Sequence, residues 1–173
     1  DLATGTGDLA LALSTSQKVK SIVGVDPSIG MLNVGKEKVN KKGLAKKIDM
    51  QVGDALDLKF EDNTFDVVTI SFGIRNFPDA SKGLSEIKRV LKPNGKLLIL
   101  EFGVPQNLLK APYLFYFRTI LPKLGAMVSK DATAYKYLNQ TVESFPYGNE
   151  FDQMVNKSGL IAKKHHSLTF GIC

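Results

Sequence analysis

The chain of 173 residues has one cysteine, no tryptophan and two histidines. A lone thiol, Cys173, rules out an intrachain disulfide, and no Cys and His spacing suits a metal ion, so a reducing, cytoplasmic setting without a metal is expected. Long apolar runs are also lacking. None reaches the roughly 18 to 20 residues that span a bilayer, and no signal peptide is expected. Acidic residues are outnumbered, 17 against 23 basic ones, for a net charge of +6 and a pI near 9.3. That balance admits an anionic membrane surface, nucleic acid or an acidic substrate. The excess, however, sits in Lys36, Lys38, Lys41, Lys42, Lys46 and Lys47, on one expected helix and its exit. A solvated face accounts for them, and no nucleic-acid partner is expected. What is present is 43% hydrophobic residues, enough for one domain over 1–173 with a real core.

The first ten residues, DLATGTGDLA, describe a tight turn from a strand end into a helix. Gly5 and Gly7 can take positive φ and allow a ligand close to the backbone, and the next helix points free N–H groups at it. Asp1 stands at the expected mouth of the strand, where a carboxylate suits a cationic group and repels a pyrophosphate. A strand should run into Asp1, so a preceding first strand is expected that this sequence does not contain. GTGDLA also fits the dinucleotide pattern G-x-G-x-x-A, so a nicotinamide- or flavin-dependent dehydrogenase competes, as does a loop glycine pair without a ligand.

Ser21 to Val25 reads as a buried parallel strand with Asp26 at its tip, placed to accept from both hydroxyls of a ribose or to cap the next helix. A helix with Met31, Leu32 and Val39 follows and stops at Gly43. Ile48, Met50 and Val52 alternate as the next strand, ending at Asp54 and Ala55. A short acid followed by a small residue can accept from an adenine amino group while the next N–H donates to the ring; an ordinary turn is the alternative. Phe65 to Ile70 is another buried strand, followed by Ser71-Phe72-Gly73-Ile74-Arg75-Asn76. Ligands in open α/β sheets bind outside such strand ends, which makes Arg75 and Asn76 candidates, although the arginine could serve a structural ion pair instead. Asp79 can cap a helix with Leu84, Ile87, Val90 and Leu91. A turn at Lys92-Pro93-Asn94-Gly95 then leads to a strand over Lys96 to Phe102. The pattern is α/β, a Rossmann-like and mostly parallel sheet.

From Leu108 to Val128 aromatic and aliphatic residues, among them Tyr113, Phe115 and Phe117, interleave with Lys110, Arg118 and Lys123. This opens an insert over 105–147, helical and aromatic-rich, that can wall a hydrophobic substrate, lie on a membrane or pack as core. Asn149 opens a helix that Gly159 ends. Leu160 to Cys173 is expected to supply a sixth strand and the start of an antiparallel last one, with His165 and His166 on opposite faces.

DLATGTGDLA, VGVDPSIGML, GDALDLKFEDNTFDVVTISFGIRN and LKPNGKLLILEF together resemble the class I S-adenosylmethionine-dependent methyltransferases. More narrowly, they are similar to the quinone-biosynthesis C-methyltransferases of the UbiE type, which methylate demethylmenaquinone or a polyprenyl benzoquinol. SFGIRN with LKPNGKLLILEF carries the specificity, and the likeness runs through DATAYKYL and LTFGI near the end. The resemblance implies S-adenosylmethionine as cofactor: Thr6, Gly5 and Gly7 at its methionine end, Asp26 at the ribose, Asp54 and Ala55 at the adenine, Ser71 towards the sulfonium and Asp1 drawing the ammonium. It implies C-methylation of a prenylated quinol, with demethylmenaquinol favoured over a ubiquinone precursor, and a methyltransferase of the same class acting on another small molecule as the alternative. Arg75 would stabilise a phenolate and Asn76 orient it, or both would position a water that takes the proton. It also implies reversible, peripheral contact with the inner face of a membrane and leaves homodimerisation open. A dinucleotide site needs neither an acid before the glycines nor the Gly53-Asp54-Ala55 tip.

Overall fold

The computed structural model describes residues 1–105, 108, 110–121, 132–169 and 172–173, and of 132–136 the backbone alone. In chain order the elements are α1 (Asp8–Ser14), β1 (Ile22–Asp26), α2 (Ile29–Lys41), β2 (Ile48–Val52), β3 (Phe65–Ser71) and a 3-10 turn (Ile74–Asn76). These are followed by α3 (Ala80–Val90), β4 (Leu91–Leu100), α4 (Lys110–Phe115) running into a π-helical stretch (Tyr116–Ile120), α5 (Ala132–Ser144) and α6 (Asn149–Lys157).

β1 pairs in parallel with β2, and β3 with β4. Leu2 joins the two pairs, bridging Val25 on one side and Ile70 on the other, both in parallel sense. The N–H of Leu2 donates to the Thr69 carbonyl at 2.8 Å, and that of Val25 to the Asp1 carbonyl at 2.9 Å. Residues 1–4 therefore hold the central place that the glycine turn requires of the strand feeding it. Below Leu2, Val23, Val25, Leu58, Phe65 and Val68 line a small apolar slot of about 20 Å³ between β1 and β3.

Helix ends follow their chemistry. The Ser28 side chain accepts from the Met31 N–H and that of Asp79 from the Lys82 N–H, satisfying donors that have no partner inside the helix. Each helix buries one stripe: Leu32, Gly35 and Val39 on α2, and Gly83, Leu84, Ile87 and Val90 on α3. One core cluster joins Val68, Ile70, Leu84, Ile87 and Val90; a second joins Ala10, Leu32, Val39, Ile48 and Met50. Full burial of each such aliphatic side chain is worth about 1.5–3 kcal/mol.

The insert has a core of its own in Val104, Phe117 and Val142, with Tyr113 and Leu114 packed against it. The Asn139 amide donates to the Phe117 carbonyl at 2.7 Å across the π-helical stretch. Core packing thus accounts for part of the aromatic segment; Leu109, Pro122, Lys123 and Leu124 lie outside the described residues.

The final stretch departs from expectation. Among the described residues, 160–169 contain no strand, so neither the sixth strand nor the antiparallel last one is formed there. Lys163-Lys164-His165-His166-Ser167 offers no alternation of apolar side chains with which to cover a sheet face. Isolated contacts hold the segment instead: His165 Nε2 meets both Asp152 carboxylate oxygens at 2.7 and 2.9 Å, Leu168 and Cys173 exchange backbone hydrogen bonds, and the Gly103 N–H donates to the Ile172 carbonyl at 2.9 Å. The expected turn at Lys92–Gly95 is present inside β4, because pairing steps from Phe65–Leu91 to Val67–Lys96 and Asn94 takes φ 64°. Of the clustered lysines most are solvated, but Lys38 and Lys47 are not free: Lys47 Nζ donates to the Ser14 carbonyl at 2.7 Å, closing the exit of α1.

Candidate active site

The carboxyl ends of the strands and the glycine turn converge on one edge of the sheet. Gly5 and Gly7 take φ of 55° and 77° as the turn requires, and Ala3 before them is also left-handed at 53°. Asp1 faces this turn with both oxygens engaged, Oδ2 accepting from the Thr4 hydroxyl at 2.6 Å and Oδ1 from that of Thr69 at 2.9 Å. Asp26, nearly buried, ties the turn to β1: its Oδ2 accepts from the Gly5 N–H at 2.8 Å and its Oδ1 from the Ser28 N–H at 2.9 Å. Each carboxylate oxygen keeps a second lone pair, so holding the turn and accepting from a hydroxyl are compatible. Ser28, not Asp26, caps α2.

The Thr6 hydroxyl donates to Asp8 Oδ2 at 2.7 Å and accepts from Lys38 Nζ at 2.9 Å, while Lys38 also bonds both Asp8 oxygens. This contact holds the Asp8 carboxyl below its usual range, with the Thr6 hydroxyl adding to it. Lys38 was expected only as part of a solvated face; it clamps α2 to the glycine turn. At the tip of β2 the Gly53 N–H donates to the Asp26 carbonyl, and Asp54 Oδ1 accepts from the Leu56 N–H at 2.9 Å. Asp54 is exposed beside Ala55, so the turn and an open carboxylate oxygen coexist.

The turn after β3 reaches the same edge. Ser71 ends the strand opposite Leu100, and Phe72 is left-handed at φ 55° with its ring stacked on Phe102, centroids 4.4 Å apart. Backbone strain of this kind is held only where surroundings over-determine it, and it clusters at functional sites. The over-determination comes from Arg75 and Glu101. Arg75 Nη1 donates to the Phe72 carbonyl at 2.8 Å and forms an ion pair with Glu101 Oε1, both side chains 9% exposed. Glu101 Oε1 also accepts from the Phe102 N–H at 2.9 Å, and the guanidinium lies 5.4 Å from the Phe102 ring centroid. Arg75 thus makes the structural ion pair that stood as the alternative to a catalytic role, and its buried Nε has no hydrogen-bond partner among the described residues. Asn76 is exposed instead, and its Oδ1 accepts from the Tyr137 hydroxyl of α5 at 3.1 Å.

Three residues here were not singled out from sequence. Glu101 sat inside an apolar strand with nothing in its spacing to link it to Arg75. Tyr137 reaches Asn76 only because α5 folds back over the turn. Met31, 48% exposed on α2, brings its Cε within 3.6 Å of where a Gly5 side chain would start; its helical spacing read as core.

The site suits an elongated ligand with a nucleoside at one end and an amino acid at the other. Along the edge from β2 to β3 lie in turn Asp54 and Ala55, Asp26, the glycine turn with Asp1, and Ser71; the cation beside the glycines, Lys38, is paired with Asp8. Among the described residues no group of His, Cys, Asp and Glu could hold a metal ion.

The statistical profile of the ubiE/COQ5 methyltransferase family matches residues 1–173. A demethylmenaquinone methyltransferase from Bacteroides fragilis is 45% identical over 174 aligned residues, covering 100% of this chain and 71% of the relative. A ubiquinone/menaquinone biosynthesis C-methyltransferase UbiE from Geotalea uraniireducens is 47% identical, covering 99% of this chain and 74% of its own length. Among solved structures, a SAM dependent methyltransferase from Aquifex aeolicus superposes with a TM-score of 0.57 at 30% identity, over 62% of this chain and 57% of that one. The fold is the Rossmann-like one of class I methyltransferases, and the dehydrogenase reading falls away. On a family match that spans its whole length, the chain belongs to the ubiE/COQ5 methyltransferase family.

Proposed function

We propose that this enzyme methylates a ring carbon of a prenylated hydroquinone, demethylmenaquinol above all, with S-adenosylmethionine as methyl donor. The observation that carries the donor is the order of groups along the sheet edge: an acid and a small residue at the tip of β2, an acid at the tip of β1, a left-handed glycine turn, and a hydroxyl at the tip of β3. The relative at 45% identity, named for demethylmenaquinone, supports the acceptor.

Asp54 and Ala55 would hold the adenine, Asp26 the ribose hydroxyls, Gly5, Thr6 and Gly7 the methionine end with Asp1 drawing its ammonium, and Ser71 would line the way to the sulfur. When bound, the cofactor supplies a methyl group already activated on a sulfonium. The chain has to present the ring carbon in line and exclude water. It also has to favour loss of the neighbouring hydroxyl proton, because only then is the ring carbon a good nucleophile. Asn76, exposed beside the strand tips, is the group that contacts that oxygen. Arg75 acts from beneath it, fixing the turn through Glu101 and the Phe72 carbonyl and setting positive charge near the developing phenolate.

The insert suits the prenyl tail. Leu108 is 95% and Phe115 63% exposed, with Tyr116 and Ile120 beside Lys110 and Arg118. No helix among the described residues is long and apolar enough to cross a membrane, so a shallow, peripheral contact with an anionic surface is the mode this composition supports.

Thermal unfolding with S-adenosylmethionine, and with a reduced dinucleotide as control, tests the donor, because a ligand that binds only the native state raises the midpoint. Incubation with a short-chain demethylmenaquinol and mass analysis of the ring test the acceptor. A rise with the methyl donor alone and the gain of one ring methyl are expected; no midpoint shift, or a methylated oxygen in place of carbon, would overturn the reading.

A further inference from the structure

Asn76 and Tyr137 come from segments 61 positions apart and meet through a single hydrogen bond, the Tyr137 hydroxyl donating to Asn76 Oδ1 at 3.1 Å. Both side chains are exposed, Tyr137 at 53%, so the bond lies on the open rim of the site, where the helical insert folds over the turn after β3. Its donor and acceptor inventory is specific. The phenolic oxygen, having given its proton to Asn76, still has a lone pair to accept with, and the amide nitrogen still has its hydrogens to donate. Among the described residues that nitrogen makes no other hydrogen bond. If the amide is turned the other way, its nitrogen donates to the Tyr137 oxygen, which leaves the Asn76 oxygen free to accept and the Tyr137 hydroxyl free to donate, so the pair offers one donor and one acceptor in either orientation.

We infer that Tyr137 is a specificity-determining residue which, with Asn76, selects the reduced form of the substrate ring; this rests on the quinol reading above. A hydroquinone hydroxyl both donates and accepts and satisfies the pair fully. A quinone carbonyl only accepts, and leaves the acceptor of the pair without a partner once the ring covers it. Sites built to bond a hydroxyl discriminate strongly against analogues that lack it, because the site's own polar atom is then stranded. Selection at binding matters chemically, since only the electron-rich reduced ring is nucleophilic at carbon. The insert supplies the tyrosine, which makes the segment that meets the tail also the segment that reads the head group.

The test is calorimetric titration of the protein, held with S-adenosylhomocysteine so that nothing turns over, with the reduced and the oxidised form of one short-chain demethylmenaquinone. The wild-type protein should prefer the reduced form. Tyr137→Phe should weaken binding of the reduced form about tenfold, the equivalent of one lost hydrogen bond, while leaving the oxidised form and S-adenosylhomocysteine within about twofold. The unchanged cofactor affinity reports an intact fold. Equal weakening of both redox forms, or none, would overturn the role of Tyr137 alone. Failure of the wild-type protein to bind either form would overturn the quinol reading and this inference with it.

Discussion

Gly73 lies directly against Ala3: a side-chain carbon at Gly73 would fall 2.4 Å from the Cβ of Ala3. This contact brings the turn after β3 onto the glycine turn, and Ala3 cannot yield easily because it is already left-handed at φ 53°. Gly73→Ala should destabilise the fold by about 1–3 kcal/mol through overpacking and weaken binding of the methyl donor. Urea unfolding and calorimetric titration of S-adenosylmethionine would measure the two effects.

Removing one member of the Arg75–Glu101 pair strands the other in a site where each is 9% exposed. Arg75→Ala and Glu101→Ala should each destabilise by about 3–5 kcal/mol, as for a broken buried pair, with the double Arg75→Met, Glu101→Leu variant recovering much of the loss. Turnover separates packing from chemistry. A refolded double variant that regains stability but not methyl transfer places Arg75 in the reaction; one that regains both makes it structural.

Asp26→Asn leaves one of two backbone donors, Gly5 or Ser28, without its acceptor, since an amide nitrogen cannot accept. A loss of about 1–3 kcal/mol of stability is expected, together with a larger proportional loss of affinity for S-adenosylmethionine than for free methionine, if Asp26 holds the ribose as proposed. Comparative titration of the two ligands would show it.

Glu86 is held below its usual value of 4.5 by Arg89 and by the Leu58 N–H that its Oε2 accepts at 2.9 Å. A carboxyl whose folded value is depressed adds stability that is present above the unfolded value and lost as pH falls through the folded one. Thermal unfolding should therefore show stability declining as pH drops below about 4.5, with Glu86→Gln flattening that decline. Arg89 also bonds the carbonyls of Leu58 and Phe60, so early melting should centre on the segment before β3.

Co-sedimentation with vesicles reads the insert. Binding is expected with anionic lipid and not with neutral lipid, falling as salt rises, since each basic residue near such a surface contributes about 1 kcal/mol. Leu108→Glu with Phe115→Glu should abolish it while thermal unfolding stays unchanged, because both side chains already face solvent.

The sequence by itself determined the α/β order and the helix cap at Asp79, and it pointed to the glycine turn and the acids at the strand tips. Each of these is encoded locally: a glycine pair sets a turn, an apolar run of five or so residues sets a buried strand, and an acid at a strand tip follows from where the strand ends. The family resemblance rested on the same short runs. Pairings between distant segments decided the rest. Arg75 was visible as a candidate, but whether it faces substrate or a counter-ion depended on Glu101, 26 positions on and brought beside it by the parallel pairing of β3 and β4. Lys38 looked like one of many solvated lysines until α2 set it against Thr6 and Asp8. The end of the chain went the other way: its apolar residues suggested a strand, yet a strand exists only where a partner edge accepts a run of its hydrogen bonds, and the described part of 160–173 bonds to itself, to α6 and, by a single bond from the Gly103 N–H to the Ile172 carbonyl, to the segment after β4. Tyr137 reached Asn76 because α5 folds over the sheet edge, and no spacing in the sequence encodes that approach.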